Sequence, residues 1–332
     1  MGVMTKAKLG MSVLQYQLTG KAKPIAVAWL ITGRCNILCD YCKWKQERKS
    51  DELDTPAVLD LIDQMHASGV QLISFTGGEP LVRQDMGEII RRVKSHGMVC
   101  KMNTNGIMLP RRIDDCRPLD LLQISVDGPP EIMDRLRGKG TSERATQAIK
   151  CGVDAGIRTQ LIACLTRDNV SRIDEVLDYG LELGVGFCFQ VLTTKYLTED
   201  EIDNSVPAKA DLEKALQYLL ELNNSRDPRA KAIASKNSEL EYYLSILQNG
   251  SPGCECAMVT CTMMPNGRLI FCGSAKAGSY RSYDTTEVGF SEAFSKLSIP
   301  DCDGCVCVGK LRISKVFQID IPVIKEMIGA RF

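Results

Sequence analysis

Between residues 25 and 192 the chain alternates short apolar runs with stretches whose apolar positions recur at helical spacing. Ala26-Val27-Ala28-Trp29-Leu30-Ile31 has strand length and no polar interruption, so it reads as a buried strand. Further strands are expected at 72–75, 99–104, 121–126, 159–165 and 187–192, with helices at 56–67, 85–95, 142–155 and 173–183. Thr55 before Pro56 suits a helix start and Gly69 a stop. Asn105-Gly106 and Asp127-Gly128-Pro129-Pro130 close the third and fourth strands as turns. Regular strand–helix alternation predicts an α/β fold with a parallel sheet and right-handed crossovers.

Past residue 194 the alternation ceases. Helical stretches follow at 208–223 and 238–248, Gly250-Ser251-Pro252-Gly253 marks a boundary, and Pro265-Asn266-Gly267 is a strong hairpin turn. The last residues, 313–332, suit a docking helix broken by Pro322. The expected division is a basic, weakly amphipathic lead-in at 1–24, a main unit at 25–195, a helical connector at 196–250, a smaller cysteine-rich unit at 251–311 and a terminal helix at 312–332.

Charge excludes little except a generally anionic partner: Lys plus Arg and Asp plus Glu are 41 each, so nucleic acid is not expected. Cysteine is the abnormal residue, with 15 in 332. Residues 1–24 have no apolar run of signal-peptide length and no stretch has the apolar length of a membrane span, so the expectation is a cytoplasmic protein whose thiols bind metal. His66 and His96 are the only histidines, and both fall in structural positions at or within helices. Histidine-based zinc or acid–base chemistry is therefore not expected.

The candidate chemistry begins at the end of the first strand, in Cys35-Asn36-Ile37-Leu38-Cys39-Asp40-Tyr41-Cys42. Three thiols spaced so closely fit one tight loop and can ligate three irons of a four-iron, four-sulfur cluster, leaving one iron open. A zinc knuckle would want a fourth Cys or His nearby, and none lies between Trp44 and Met65. With the downstream Gly77-Gly78-Glu79-Pro80, the loop resembles the signature of the radical S-adenosylmethionine (SAM) enzymes.

That resemblance implies a partial six-stranded (β/α) barrel, a [4Fe-4S] cluster on Cys35, Cys39 and Cys42, and SAM chelated to the open iron. Tyr41 then packs beside the adenine, and Gly77, Gly78 and Glu79 meet the methionine ammonium. Asn103 and Ser125 sit at strand ends that contact the cofactor, and Arg137 pairs with its carboxylate. The implied reaction is reductive cleavage of SAM to methionine and a 5′-deoxyadenosyl radical, which abstracts hydrogen from a substrate carbon.

The C-terminal cysteines resemble the opening of the twitch and SPASM extensions of the same superfamily. Cys256, Cys272, Cys302 and Cys305 are the expected ligands of one auxiliary [4Fe-4S] cluster, with Cys254, Cys261 and Cys307 as further candidates. A zinc ribbon suits paired thiolates as well. The remaining cysteines, Cys100, Cys116, Cys151, Cys164 and Cys188, read as small core residues.

The expected function is a radical SAM oxidoreductase or maturase that oxidises or cross-links a peptide or small metabolite, fed by a flavodoxin- or ferredoxin-type donor. The position of the loop so early in the sequence leaves no leader-binding domain before it, which weighs against a peptide. Two other readings stand beside it. A lipid substrate would be met at a membrane surface through the lead-in residues Met4, Leu9, Met11, Val13, Leu14 and Leu18. A non-catalytic iron–sulfur carrier would explain the thiols but not Gly77–Pro80, Ser125 and Arg137. Nothing in the sequence singles out a catalytic base.

Overall fold

The structure is a computed structural model that describes residues 3–19, 23–42, 51–192, 199–250, 259–273, 281–298, 315–317 and 319–329. Six strands, β1 (Ala26–Thr32), β2 (Leu72–Gly77), β3 (Val99–Thr104), β4 (Leu121–Ser125), β5 (Thr159–Leu165) and β6 (Phe187–Val191), lie parallel in chain order. After α1 (Val3–Thr19), which precedes the sheet, the crossovers are α2 (Thr55–Ala67), α3 (Met86–Ser95), α4 (Leu109–Cys116), the pair α5 (Pro130–Arg137) and α6 (Thr141–Asp154), and α7 (Ile173–Leu183).

Strand parity divides the sheet into two faces. Trp29, Ile73, Phe75, Met102, Ile124 and Ala163 point toward the helices and join the main core with Ile62, Met65, Ile90 and Val176. The alternate positions Ser74, Thr76, Lys101, Asn103, Gln123, Ser125 and Gln160 are half-buried and line the opposite face. The sheet therefore has a dry outer face under helices and a polar inner wall.

Beyond residue 192 come α8 (Glu199–Ser205), α9 (Lys209–Asn223) and α10 (Asn237–Asn249). The segment between α9 and α10 covers the β6 edge: Ala234 N–H donates to Phe187 O at 2.8 Å and Phe189 N–H to Ser235 Oγ at 2.8 Å. At the other edge the sheet continues. β7 (Thr260–Met263) pairs parallel with β1, and β8 (Arg268–Ile270) and β9 (Tyr283–Asp284) follow antiparallel. Gly267 N–H donates to Met264 O at 3.1 Å, and Gly267 turns at φ +79°, as the Pro-Asn-Gly signal predicts. α11 (Thr285–Val288), α12 (Phe290–Ser295) and α13 (Ile321–Gly329) complete the described elements.

Four local expectations are corrected, three of them by proline. Pro110, Pro130 and Pro322 each stand in the first turn of a helix (α4, α5 and α13), where the missing N–H costs nothing. The sequence reading had no helix at the first two and a break at the third. The α2 cap is Asp54, whose carboxylate accepts Ala57 N–H, while Thr55 Oγ1 donates to Asp85. His66 and His96 stack on one another at 4.3 Å and His96 bonds Asp63, in keeping with structural roles.

α1 lies with Tyr16 edge-on to Phe317 at 5.8 Å and Gln17 Nε2 donating to Phe317 O at 2.7 Å. Its other face leaves Met11, Leu14 and Leu18 exposed. Among the described residues no helix is long and apolar enough to cross a membrane.

Candidate cluster and cofactor site

The cysteine loop leaves the C-terminal end of β1, the end where chemistry gathers in parallel α/β architectures. Its entry is clamped from two sides. Glu52 accepts hydrogen bonds from Thr32 Oγ1, from Gly33 N–H at 3.1 Å and from Arg34 Nε at 3.2 Å. Arg83, only 4 % exposed, donates to Ile31 O and Leu53 O and pairs with Asp85. On the other side the end of β2 presses on the loop. Gly78 N–H donates to Thr32 O and Glu79 N–H to Arg34 O, each at 2.8 Å.

This contact explains both glycines. A Cβ on Gly78 would lie 2.0 Å from Arg34 O, and one on Gly77, at φ +125°, would lie 2.4 Å from Thr32 O. In this structure Gly77 and Gly78 therefore fit the loop's own backbone. Glu79 is fully buried and accepts from Thr104 Oγ1 at 2.7 Å, Asn105 N–H at 2.7 Å and Leu81 N–H at 3.1 Å. Burial raises its pKa against those three donors. Its carboxylate ties β2 to β3 below the site.

Two donors reach the thiols. Asn105 Nδ2 lies 3.9 Å from Cys35 Sγ and 2.7 Å from Asn36 Oδ1. Arg137 Nη1 lies 3.8 Å from Cys39 Sγ. The rest of the guanidinium is committed to Asp127, through Nε at 2.7 Å and Nη2 at 3.2 Å, and Nη2 also donates to Tyr41 Oη. Tyr41 Oη in turn donates to Asp127 Oδ2 at 2.6 Å. Asp127 is wholly buried, and Cys164 N–H and Asn169 Nδ2 fix its other atoms from the end of β5.

Burial pushes the Cys39 thiol up to about 11, the Arg137 charge pulls it down, and Cys42, Asp127 and Cys35 push it up again. Burial likewise pushes the Tyr41 hydroxyl up. Burial opposes the Arg137 charge, but Asp127, Tyr41 and Cys39 outweigh it and keep the guanidinium protonated. Among the described residues, no group of three or more Cys, His, Asp or Glu side chains is gathered around a single-ion site.

The other sequence candidates fall as follows. Tyr41 packs with Ile132 and Leu136 of α5. Asn103 lies on the inner wall with its Oδ1 buried and without a hydrogen-bond partner among the described residues. Ser125 is half-buried at the end of β4. Cys261 is fully buried among core residues, and Cys272 follows β8. By strand parity Cys261 is on the Met263–Leu269 face of the hairpin, while Cys272, two residues past the end of β8, is buried as well. Cys254, Cys256, Cys302, Cys305 and Cys307 lie outside the described residues. Cys100 and Cys116 are buried, whereas Cys151, Cys164 and Cys188 are half-buried.

The Gly138-Lys139-Gly140-Thr141 stretch, a partial phosphate-loop look-alike, is filled by the chain's own carboxylate. Asp134 accepts Gly140 N–H and Ser142 N–H, both at 2.8 Å. Sequence reasoning passed over Glu52, Arg83, Asp127 and α5 itself. In the sequence Asp127 opens the turn Asp127-Gly128-Pro129-Pro130, and nothing local there shows the Arg137 that it meets.

The profile of the Radical SAM superfamily matches residues 29–180, from β1 into α7. Residues 29–180 carry a radical SAM domain. The chain is 27% identical over 311 residues to mycofactocin maturase MftC of Mycolicibacterium smegmatis, covering 87% of this chain and 76% of that protein. It is also 27% identical over 320 residues to an AdoMet-dependent heme synthase of Methanosarcina barkeri, covering 86% and 90%. A shorter match, 32% identical over 162 residues, covers 47% of this chain and 41% of the Mycobacterium tuberculosis MftC.

Among solved structures, anSMEcpe with bound AdoMet and Cp18Cys peptide superposes with a TM-score of 0.67 at 17% identity, over 82% of this chain and 80% of that one. Streptococcus suis SuiB bound to precursor peptide SuiA superposes with 0.67 at 14%, over 86% and 68%. At such identities these are likenesses of fold, and they confirm the parallel-strand partial-barrel architecture.

The cofactors of the superfamily are a [4Fe-4S] cluster and SAM. The donor set of this chain fits them: three thiols on one loop, N–H donors at two of the sulfurs, and an unpartnered buried amide oxygen on the adjoining polar wall.

Proposed function

We propose that this chain is a radical SAM maturase that acts on a peptide, with Cys35, Cys39 and Cys42 holding the cluster and the polar inner wall receiving the substrate. The observation that carries it is the one loop at the C-terminal end of β1 bearing three thiols, with Asn105 and Arg137 facing two of them. The peptide assignment is supported by the maturase relative and by the peptides bound in the two superposed structures. When bound, the cluster and SAM supply one-electron cleavage of the sulfonium to a 5′-deoxyadenosyl radical able to take hydrogen from carbon.

The chain's own residues do the placing. Gly78 and Glu79 hold the loop entry, and α5 holds its far side, with Asp40 N–H donating to Leu136 O at 3.1 Å. Tyr41, Asn103 and Ser125 are assigned to SAM. Half-buried Ser74, Thr76, Lys101, Gln123 and Gln160 offer a substrate hydrogen bonds at little apolar cost. No group is assigned as a general base.

Residues 25–195 form the catalytic unit of this reading, with 1–24, 196–250 and 312–332 as lead-in, connector and terminal helix. Residues 251–311 carry one auxiliary [4Fe-4S] cluster on Cys256, Cys272, Cys302 and Cys305. A flavodoxin- or ferredoxin-type protein delivers the electron, as expected for a cytoplasmic enzyme. Anaerobic reconstitution with dithionite and SAM should yield 5′-deoxyadenosine, and none should form once Cys35, Cys39 and Cys42 are all alanine. Persistence of that product in the triple variant would refute the assignment. Iron near eight per chain supports the auxiliary site, and iron near four removes it.

A second reading, a lipid substrate met at the membrane surface, is favoured by one observation: Met11, Leu14 and Leu18 form an exposed stripe at helical spacing on α1. Sedimentation with anionic vesicles separates the two, since a peptide maturase stays in the supernatant.

A further inference from the structure

Arg137 is a buried, firmly held charged side chain beside the cysteine loop. Its relative exposure is 8 % and that of its partner Asp127 is 0 %. Nε and Nη2 are taken by the Asp127 carboxylate, and Nη2 also by Tyr41 Oη. The Asp127 carboxylate is itself held, by Tyr41 Oη at Oδ2 and by Cys164 N–H at Oδ1, and Asn169 Nδ2 holds the Asp127 main-chain carbonyl. The guanidinium plane is rigid, so fixing one edge fixes the direction of the remaining nitrogen. That nitrogen, Nη1, faces Cys39 Sγ at 3.8 Å. On the opposite side of the loop, Asn105 is fixed through its backbone N–H to Glu79 and its Oδ1 to Ile107 N–H, and its amide N–H faces Cys35 Sγ at 3.9 Å.

We propose that Arg137 and Asn105 are a pair of N–H···S donors to the cluster thiolates of Cys39 and Cys35, with Asp127 as the residue that positions Arg137, and that together they set the cluster's reduction potential. This rests on the radical SAM reading of the loop. The physical reason is that the reduced cluster carries one more negative charge overall than the oxidised one, part of it on the sulfurs. Donors to sulfur therefore stabilise the reduced form and raise the potential. Because Asp127 balances the guanidinium, the effect at Cys39 is that of a local hydrogen bond more than of net charge.

The role differs from pairing with the SAM carboxylate, the part the sequence resemblance implied for Arg137. The two make different predictions in the absence of SAM. The test is a redox titration of the anaerobically reconstituted, SAM-free full chain, followed by EPR, with iron content measured on the same samples.

Arg137→Met should shift the midpoint to more negative potential, Arg137→Lys should recover part of the shift, and Asn105→Leu should shift it the same way. An unchanged midpoint in variants that still load iron overturns the proposal and leaves the cluster assignment intact. Failure of the wild-type chain to load a cluster on Cys35, Cys39 and Cys42 overturns the parent reading instead.

Arg137→Met leaves a buried Asp127 without its partner, so the double variant with Asp127→Asn, which removes both charges, guards against simple misfolding. A measurement on the wild type needs no variant at all. Exchange into D2O should shift the cluster's Fe–S stretching bands in resonance Raman spectra, and identical bands in H2O and D2O would also overturn the proposal.

Discussion

The Cys35–Cys42 loop and the β7–β8 hairpin both carry cysteines and both hang on β1, yet they present them differently. The loop follows the C-terminal end of β1 and is free of strand parity, so three closely spaced thiols belong to one turn of chain. The hairpin lies beside the first half of β1, Ala26–Trp29 against Thr260–Met263, and its side chains must alternate. Cys261 therefore enters the main core, whereas Cys272, past the end of β8, is buried outside that cluster. Close spacing in sequence gathers thiols only where the backbone is not committed to a ladder. The loop is also held by donors and carboxylates from β2, β3, β4 and α5, a support built by elements far away in sequence.

The largest effect expected from breaking this difference is at the thiols themselves. Alanine at Cys35, Cys39 and Cys42 should remove about four irons and all SAM cleavage, measured by iron assay and 5′-deoxyadenosine yield. Next is Asp127→Ala, which strands a buried guanidinium. Urea unfolding of the iron-free chain should show a loss of about 3–5 kcal/mol. Gly78→Ala drives a methyl into Arg34 O, at a cost of about 1–3 kcal/mol. It should also lower iron loading on the loop, whereas a wild-type iron content would show that the contact with β2 does not shape it.

The hairpin half of the comparison is sharpened by a matched pair. Cys261→Ala should cost about 1 kcal/mol of stability and no iron, while Cys272→Ala should lose iron with little change in the unfolding midpoint. The reverse pattern would reassign the auxiliary ligand.

The smallest effect is a pH dependence at Glu52. Burial opposes its charge, yet hydrogen bonds from Thr32, Arg34 and Gly33 hold its pKa below the usual carboxylate value. A carboxylate depressed on folding contributes stability above its unfolded pKa and loses it as pH falls through the folded one. Hydrogen exchange at Gly33 and Arg34 should therefore accelerate selectively on acidification below the ordinary carboxylate range, and Glu52→Gln should flatten that dependence.

Much of the barrel was legible because its strands are short, apolar or alternating, and separated by helical periods. The misplaced elements share one cause. Proline was read as punctuation at Pro130 and Pro322, although its fixed φ also starts helices, as it does at Pro110. Overlooking α5 hid how Arg137 is positioned, because it is the last residue of that helix. The thiols, Gly77-Gly78 and Arg137 could be picked from their spacing and the resemblance. Asp127, Glu52 and Arg83 could not, since nothing in an isolated Asp, Glu or Arg shows which distant backbone it will meet.

The amino-acid sequence by itself determined the order of strands and helices, the three-thiol loop at the end of the first strand and the hairpin turn at Pro265-Asn266-Gly267. These depend on local periodicity, turn preference and spacing, all of which act over a few residues. Only the tertiary structure decided that the hairpin extends the sheet beside β1, that Gly78 must be small because of Arg34 O, and that Arg137 aims at Cys39. Each of those follows from closing a sheet and burying charges together, so it depends on contacts between segments that the chain keeps far apart until it folds.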